Sequence, residues 1–167
     1  MSRLQLRLLC MLAAVLMLSG CGRPGGSGSG RAAAQEDGTK EEARLVDEEC
    51  VQLLKDKKTI AEARAWLKDE QKHVLWKGDR RKLARQFDEL NAAGVKEIYA
   101  VGLQSVGDGK QMTAEFVAIL PSDPVGRAKA IEAYNRFMRD FVGDEEEAQD
   151  YVVADHGQKY LYYMLDL

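Results

Sequence analysis

The sequence predicts an α+β domain: N-terminal helices, then a small antiparallel sheet of three or four strands with a crossover helix before the last strand. Two observations predict this class. Apolar residues recur at helical spacing up to Gly94, and after it the pattern changes to the alternation typical of strands. The 167 residues suffice for one such domain with some length left over.

Composition excludes several other classes of protein. Hydrophobic residues make up 46% of the chain and charged residues 31%, as in globular proteins and unlike collagen-like or disordered chains. The formal net charge is −3, so no overall basic field is available to hold a nucleic-acid backbone. Three cysteines are too few for a disulfide-dense scaffold, and no apolar run approaches the roughly 20 residues of a membrane-spanning helix.

Two helices are predicted at the start of the domain. Apolar side chains at positions 46, 50, 53 and 54 recur at helical spacing in a charged background, which indicates an amphipathic helix over 41–56. Thr59 and Glu62 have the spacing of a capping box, in which each side chain bonds to the other residue's backbone N–H. We therefore expect a second helix over 60–70.

A third helix is predicted to begin after Asp79 and to stop at Gly94. Asp79 is a favoured N-cap residue, and Gly94 is the residue type that most often follows the last turn. The inward-facing residues are expected to be Leu83, Phe87 and Leu90.

Strands are predicted over 96–103 and 112–120, on either side of a turn-rich Gly107-Asp108-Gly109. This arrangement is typical of a hairpin. A last strand is expected over 159–165, with 151–154 as a further strand that pairs with it.

A helix between these strands is predicted from the sequence that follows Pro121. Asp123 is a suitable N-cap, Pro124 is favoured at the first helical position, and Gly143 marks the end, before a solvated charge run over 144–147. The resulting order, αββαβ, or αββαββ with 151–154 as a strand, resembles a rearranged ferredoxin-like half. The economical arrangement places the helices mainly on one face of the sheet.

The first 21 residues have the pattern of a targeting segment. Arg3 and Arg7 precede an apolar run over 8–18, whose length fits a signal peptide and is too short for a membrane span. The run ends in Leu18-Ser19-Gly20-Cys21, a branched aliphatic residue, two small residues and a cysteine. This segment resembles the signal peptide and lipobox of bacterial lipoproteins.

The resemblance implies how the protein is held in place. Residues 1–20 would be a lipoprotein signal peptide, and the Cys21 thiolate would accept a diacylglyceryl group as a thioether. Two or three acyl chains on that residue would anchor the chain to a membrane, in the cell envelope, facing the periplasm or the exterior. The Gly/Ser-rich remainder of 21–40 is expected to be a flexible tether, which leaves 41–167 as the single folded domain.

A basic cluster opens the third predicted helix. Its members are Arg80, Arg81, Lys82 and Arg85. Cations at this end of a helix oppose the helix dipole, so they either tolerate that cost or have an anionic partner. Candidate partners are the acidic run at 144–147, anionic lipid head groups or an anionic polymer; the alternative is a solvated helix face.

An aromatic stripe in the last strand is the other candidate interaction surface. Strand alternation sends Tyr160, Tyr162 and Met164 to one face of the sheet and the intervening residues to the other. If helices cover only one face, this stripe is half exposed and suited to a partner protein. The alternative is that helices cover both faces, or that the stripe packs against neighbouring strands.

The sequence offers little for catalysis. Cys50 lies on an apolar helix face, where cysteine behaves as a small hydrophobic residue. His156, beside Asp155 in a turn, is the remaining candidate, with the acidic run 144–147 upstream. The chain has too few His and Cys for a zinc site, and 144–147 lacks the alternation and glycine of a calcium loop. We expect no cofactor and no metal.

These observations predict a non-enzymatic, membrane-anchored domain that binds a protein or another component of the envelope, and not nucleic acid. Two alternatives stay open. One is an envelope enzyme with a site near His156. The other is a domain that binds a small ligand or lipid in an apolar cavity between sheet and helices.

Overall fold

The computed structural model describes residues 29–166, with side chains from Lys40 onward. The predicted signal peptide, Cys21 and the first part of the predicted tether therefore lie outside the described residues. The described residues from Glu36 onward belong to one compact unit, which holds nearly all of the described part of the chain.

The fold belongs to the predicted α+β class. Its helices are α1 (Ser29–Lys55), α2 (Ala63–Lys68), α3 (Arg80–Ala92), α4 (Pro124–Val142) and α5 (Glu145–Ala148), with a 3₁₀ turn at Gln149–Tyr151. Its strands are β1 (Ala61–Glu62), β2 (His73–Leu75), β3 (Ile98–Val101), β4 (Gln104–Ser105), β5 (Gln111–Thr113), β6 (Glu115–Ile119) and β7 (Tyr160–Met164).

The main sheet has four antiparallel strands in the order β1-β3-β6-β7. A smaller sheet, β2-β5-β4, pairs β2 parallel to β5 and β5 antiparallel to β4. The predicted αββαβ order is present as α3, β3, β6, α4 and β7. Because neighbours in the main sheet follow chain order and run antiparallel, β6–α4–β7 differs from the parallel crossover of a ferredoxin-like half.

Helices cover both faces of the main sheet. On one face, α2, α3 and α4 enclose the larger core, which includes Phe116 from β6 and Tyr163 from β7. On the other face, Cys50 of α1 is fully buried in a smaller cluster with Val117 and Tyr162. The expectation that helices lie mainly on one face is therefore corrected: α1 is amphipathic, and its apolar side needs a sheet surface to cover.

A side chain of α1 also bonds to the main sheet's edge strand. The Asp47 carboxylate accepts hydrogen bonds from the backbone N–H of Lys159 at 2.9 Å and of Tyr160 at 3.2 Å. Both donors stand at the start of β7, where the strand has a single neighbour, β6. Asp47 therefore holds α1 in register with β7 and satisfies backbone donors at an open sheet edge.

The helix starts differ from prediction at two places. In the structure α1 begins at Ser29, so residues 29–40, which were expected to be coil, are helical. This stretch contains Ala, Gln, Glu and Lys, which are strong helix formers.

The predicted capping box between Thr59 and Glu62 does not form. Residues Ala61–Glu62 pair with β3 instead, and the Glu62 carboxylate caps α2 by accepting from Arg64 N and Ala65 N.

The strand predicted over 112–120 is interrupted after Thr113, and the structure has two short strands there, β5 and β6. The Thr113 hydroxyl donates to Val101 O at 2.5 Å and accepts from Glu115 N at 2.9 Å. These side-chain bonds replace the backbone bonds of a continuous strand, so β5 and β6 join different sheets.

No strand forms over 151–154. There the Asn135 amide of α4 binds both the N–H and the carbonyl of Val153, and so occupies the groups a neighbouring strand would need.

The remaining helix boundaries are confirmed. The carboxylate of Asp79 caps α3 and that of Asp123 caps α4, with Pro124 in the first turn. Gly143 ends α4 in the left-handed region at φ 79°. The charge run at 144–147 is exposed, as expected, and includes the first turn of α5. Between Ser29 and Asp166, none of the helices combines the length and apolar composition needed to cross a bilayer.

We expect the substitution Asp47→Ala to lower the free energy of unfolding by about 1 kcal/mol, because it leaves backbone donors at the start of β7 without their acceptor. Urea unfolding followed by circular dichroism would measure the effect. The full chain carrying Cys21→Ser, which cannot be acylated, is the suitable background. Glu48→Ala is the matched control, since the Glu48 carboxylate pairs only with exposed Arg44 of the same helix. Equal stability of the two variants would contradict the role of Asp47.

Candidate ligand-binding groove

A groove of about 670 Å³ lies between α3 and α4, and we call it the interhelical groove. The ends of β2 and β7 close its base. Its floor is apolar and is formed by Leu75, Leu83, Phe137, Phe141 and Leu165. Its rim carries charged side chains of both signs from the two helices: Asp79, Lys82, Arg85, Glu89, Arg136 and Asp140.

Helix periodicity explains the floor. Phe137 and Phe141 are one turn apart on α4, so both project to the same side of the helix, and their rings stack with centroids 6.0 Å apart. Phe137 also packs edge-on against Tyr163 of β7 at 5.7 Å. The aromatic floor is thus continuous with the larger core and is held by it.

One polar contact lies beneath this apolar surface. Gln86 is 4% exposed, and its amide donates to the Tyr163 hydroxyl at 2.9 Å. Burial raises the pKa of Tyr163, so the phenol stays neutral at ordinary pH and the bond to Gln86 persists. Gln86 therefore belongs to the lining of the groove, and its amide N–H is bonded to Tyr163 below the surface.

Three of the six charged groups on the rim are already engaged. Arg136 of α4 binds Glu89 of α3 at 2.6 Å and so joins the two helices across one end of the groove. Asp79 accepts from the backbone N–H of Arg81 and Lys82, and these bonds lower the pKa of its carboxyl.

The other three charged groups have no such partner. In the part of the chain that the structure describes, the charged ends of Lys82, Arg85 and Asp140 make no hydrogen bond or ion pair. Lys82 and Arg85 share the α3 side of the groove, and Asp140 lies on α4.

The four residues of the predicted basic cluster have different surroundings in the structure. Lys82 and Arg85 line the groove, whereas Arg81 is exposed and outside it. Arg80 has a structural role: its guanidinium donates to Leu67 O at 2.5 Å and to His73 O at 2.6 Å. Within residues 40–166, no ion pair joins the cluster to the acidic run at 144–147, one of its three candidate partners.

The Arg80 guanidinium also lies over the indole of Trp66, 5.5 Å from the ring centroid, and the His73 ring stacks on the same indole at 5.2 Å. Trp66 is buried, and its Nε1 has no hydrogen-bond partner among the described residues. These contacts fix the segment between α2 and α3, which leads into the groove.

The aromatic stripe lies under α1. Tyr162 is only 9% exposed, and Tyr160 and Met164 are half-buried in the same cluster as Cys50. The alternation of β7 is as predicted, and the alternative in which helices cover both faces holds. The stripe is thus part of an internal packing layer, and Cys50 is a core residue.

The turn at 155–158 is bound to α4. The Arg127 guanidinium binds both carboxylate oxygens of Asp155, at 2.7 and 2.9 Å, and lowers the pKa of that carboxyl by hydrogen bonding. It also donates to Gln158 O at 2.6 Å. His156 is half-buried and lies outside the interhelical groove. Over residues 29–166, no three His, Cys, Asp or Glu side chains are grouped so that they could hold a metal ion.

Several groove residues were missed in the sequence, although one signal was present. Gln86 falls on the same helical face as Leu83, Phe87 and Leu90, and a polar residue among inward-facing positions indicates either a buried partner or a site. The pairing of Glu89 with Arg136 joins residues far apart in the chain and has no local signature.

No protein-family model matches this chain, and comparisons with curated proteins and with solved structures give no match.

We expect Tyr163→Phe to cost about 1–2 kcal/mol of stability, because it leaves the buried Gln86 amide without its partner. Adding Gln86→Leu should recover part of that loss, since both polar groups are then gone. Thermal and urea unfolding would measure both effects. Tyr99→Phe is the control, because the Tyr99 hydroxyl binds Glu97 at the surface. A double variant less stable than Tyr163→Phe alone would contradict this interpretation.

Proposed function

We propose that this protein is a lipid-anchored envelope lipoprotein whose α+β domain is a non-enzymatic binding module. The ligand site is the interhelical groove. The observation that carries the binding proposal is the groove itself: about 670 Å³ of space, lined by five large apolar side chains and six charged ones.

The size and lining of the groove support a small ligand. Ligand sites in proteins typically measure about 300–1,000 Å³ and combine apolar walls with a few polar groups that fix orientation. Here Phe137, Phe141 and the neighbouring leucines supply the apolar surface, and the charged residues of the rim supply the polar groups. A molecule with an apolar body and a polar end matches this distribution.

The three hypotheses drawn from the sequence differ in which surface or cavity must be open to solvent. A partner protein on the sheet face would need access to Tyr160 and Tyr162, which α1 covers. The enzyme hypothesis gains no support from Asp155, the carboxylate beside His156, because Arg127 binds it. The small-ligand alternative needs a cavity of several hundred Å³ with apolar surface, and it is supported by the volume of the groove and by the two phenylalanines and three leucines in its lining.

The anchoring proposal is supported by the first 21 residues alone. Arg3, Arg7, the apolar run and the sequence Leu18-Ser19-Gly20-Cys21 together have the pattern of a lipoprotein signal peptide. Acyl chains on Cys21 would keep the binding domain at a membrane surface, where amphiphilic ligands are concentrated.

The binding proposal is tested with N-phenyl-1-naphthylamine, a neutral probe whose fluorescence rises in apolar surroundings. The full chain carrying Cys21→Ser should bind it. Phe141→Ala should weaken binding about fivefold or more, because it removes much of the floor. Asp140→Trp, which adds bulk at an exposed rim position, should do the same without removing core packing.

Matched controls on the same helix are Val125→Ala and Lys129→Trp, whose side chains are exposed and outside the groove. Both controls should bind the probe as the parent chain does. If the probe does not bind, or if neither groove variant changes its affinity, the groove is not a ligand site.

The anchoring proposal is tested by feeding bacteria that express the chain with an alkyne-tagged fatty acid. The wild-type protein should carry the label, and Cys21→Ser should carry none, because the acceptor sulfur is missing. Cys10→Ser is the control for the other leader cysteine and should be labelled as wild type. Equal labelling of wild type and Cys21→Ser would contradict the anchor.

A further inference from the structure

We propose that the interhelical groove selects amphiphiles with an anionic head group, which Lys82 and Arg85 bind while the tail lies on the aromatic floor. This inference rests on the proposed function of the groove and names its ligand class. The head-group chemistry is shared by a fatty-acid carboxylate and by the phosphate of a single-chain anionic phospholipid.

The charged groups around the groove are unevenly paired. Glu89 and Arg136 form an ion pair, and the Asp79 carboxylate caps α3. The charged ends of Lys82 and Arg85 form no hydrogen bond or ion pair with the described residues, although both interact electrostatically with the Asp79 carboxylate. They lie one turn apart on α3, so their side chains can reach a common anion. Two neighbouring cations repel each other, and a bound anion relieves that repulsion.

Both cations lie near the N-terminus of α3. Lys82 is in the first turn, where the helix dipole is positive, and Arg85 is in the second turn. The negative groups near them are Asp79, which keeps its charge while it caps the helix, and Asp140 on α4. An anionic head group would gain from the two cations and from the dipole at the start of the helix, against the repulsion of these two carboxylates.

The charges around the groove are balanced in number but unevenly placed. Its rim has three basic and three acidic side chains. Of the seven Lys or Arg within residues 68–85, only Lys82 and Arg85 line the groove. An anion would therefore be attracted by these two neighbouring side chains and not by a basic field over the whole site.

The two elements of the site are arranged for one amphiphilic molecule. Phe141 and Asp140 are adjacent on α4, and both line the groove together with Lys82 and Arg85 of α3. A head group bound to these cations stands at the rim, with the Phe137–Phe141 floor beside it. Asp140, across the groove, disfavours a second negative charge on the same ligand, so we expect monoanions to bind best.

The experiment measures displacement of N-phenyl-1-naphthylamine by four twelve-carbon compounds below their micelle concentrations. These are dodecanoate, lauroyl lysophosphatidylglycerol, dodecanol and dodecylammonium. We expect either or both anions to bind about tenfold more tightly than the alcohol, and the cation to bind most weakly. Rising salt concentration should reduce the advantage of the anions and leave dodecanol unchanged.

The double variant Lys82→Gln/Arg85→Gln should lose the preference for anions while it still binds the probe and dodecanol. Arg81→Gln, an exposed cation on the same turn but outside the groove, is the control and should keep the preference. The relative affinities of dodecanoate and the lysophospholipid identify which source of anion the site favours.

The outcomes separate this inference from the function on which it rests. Failure of the probe to bind overturns the groove as a ligand site. Probe binding with no anion preference, or a preference that survives the double variant, overturns the ligand class alone. Binding to phosphatidylglycerol vesicles without displacement by either monomeric anion would mean that the cations contact a membrane surface, and would also overturn it.

Discussion

The burial of Tyr163 in β7 determines the arrangement of the larger core. Its ring packs edge-on against Phe87 of α3 at 6.1 Å and against Tyr134 of α4 at 4.8 Å, and its hydroxyl binds Gln86. One side chain thus sets the distance of both helices from the sheet and from each other. Because α3 and α4 are held apart by aromatic rings at this point, a space remains between them further along, and Phe137 carries the aromatic packing into the floor of that space.

The opposite face of the sheet depends on α1 in the same way. Cys50 and its apolar neighbours cover Val117 and Tyr162, while Asp47 binds the backbone at the start of β7. Further along the same strand, the Tyr134 hydroxyl donates to Tyr162 O at 2.9 Å. The edge strand is therefore satisfied by side chains from two helices, which lowers its tendency to pair with another chain.

Local signals predicted most of the fold, and non-local contacts account for what they missed. Caps such as Asp79 and Asp123 and the alternation of β7 depend on neighbouring residues, so the sequence pattern is sufficient to place them. Thr59 failed as a cap because pairing of the next residues with β3 outweighed the local bonds. The groove was not predicted, since it depends on how far α3 and α4 separate and on the pairing of Glu89 with Arg136, 47 positions apart. Only the basic residues at its rim stood out in advance.

The placement of α1 has a consequence for access to the domain. The main sheet separates α1 from α3 and α4, so α1 and the interhelical groove lie on different sides of the same layer. On the proposed function, a ligand would enter and leave the groove without displacing α1, and the packing of α1 against the sheet would be the same whether the groove is filled or empty.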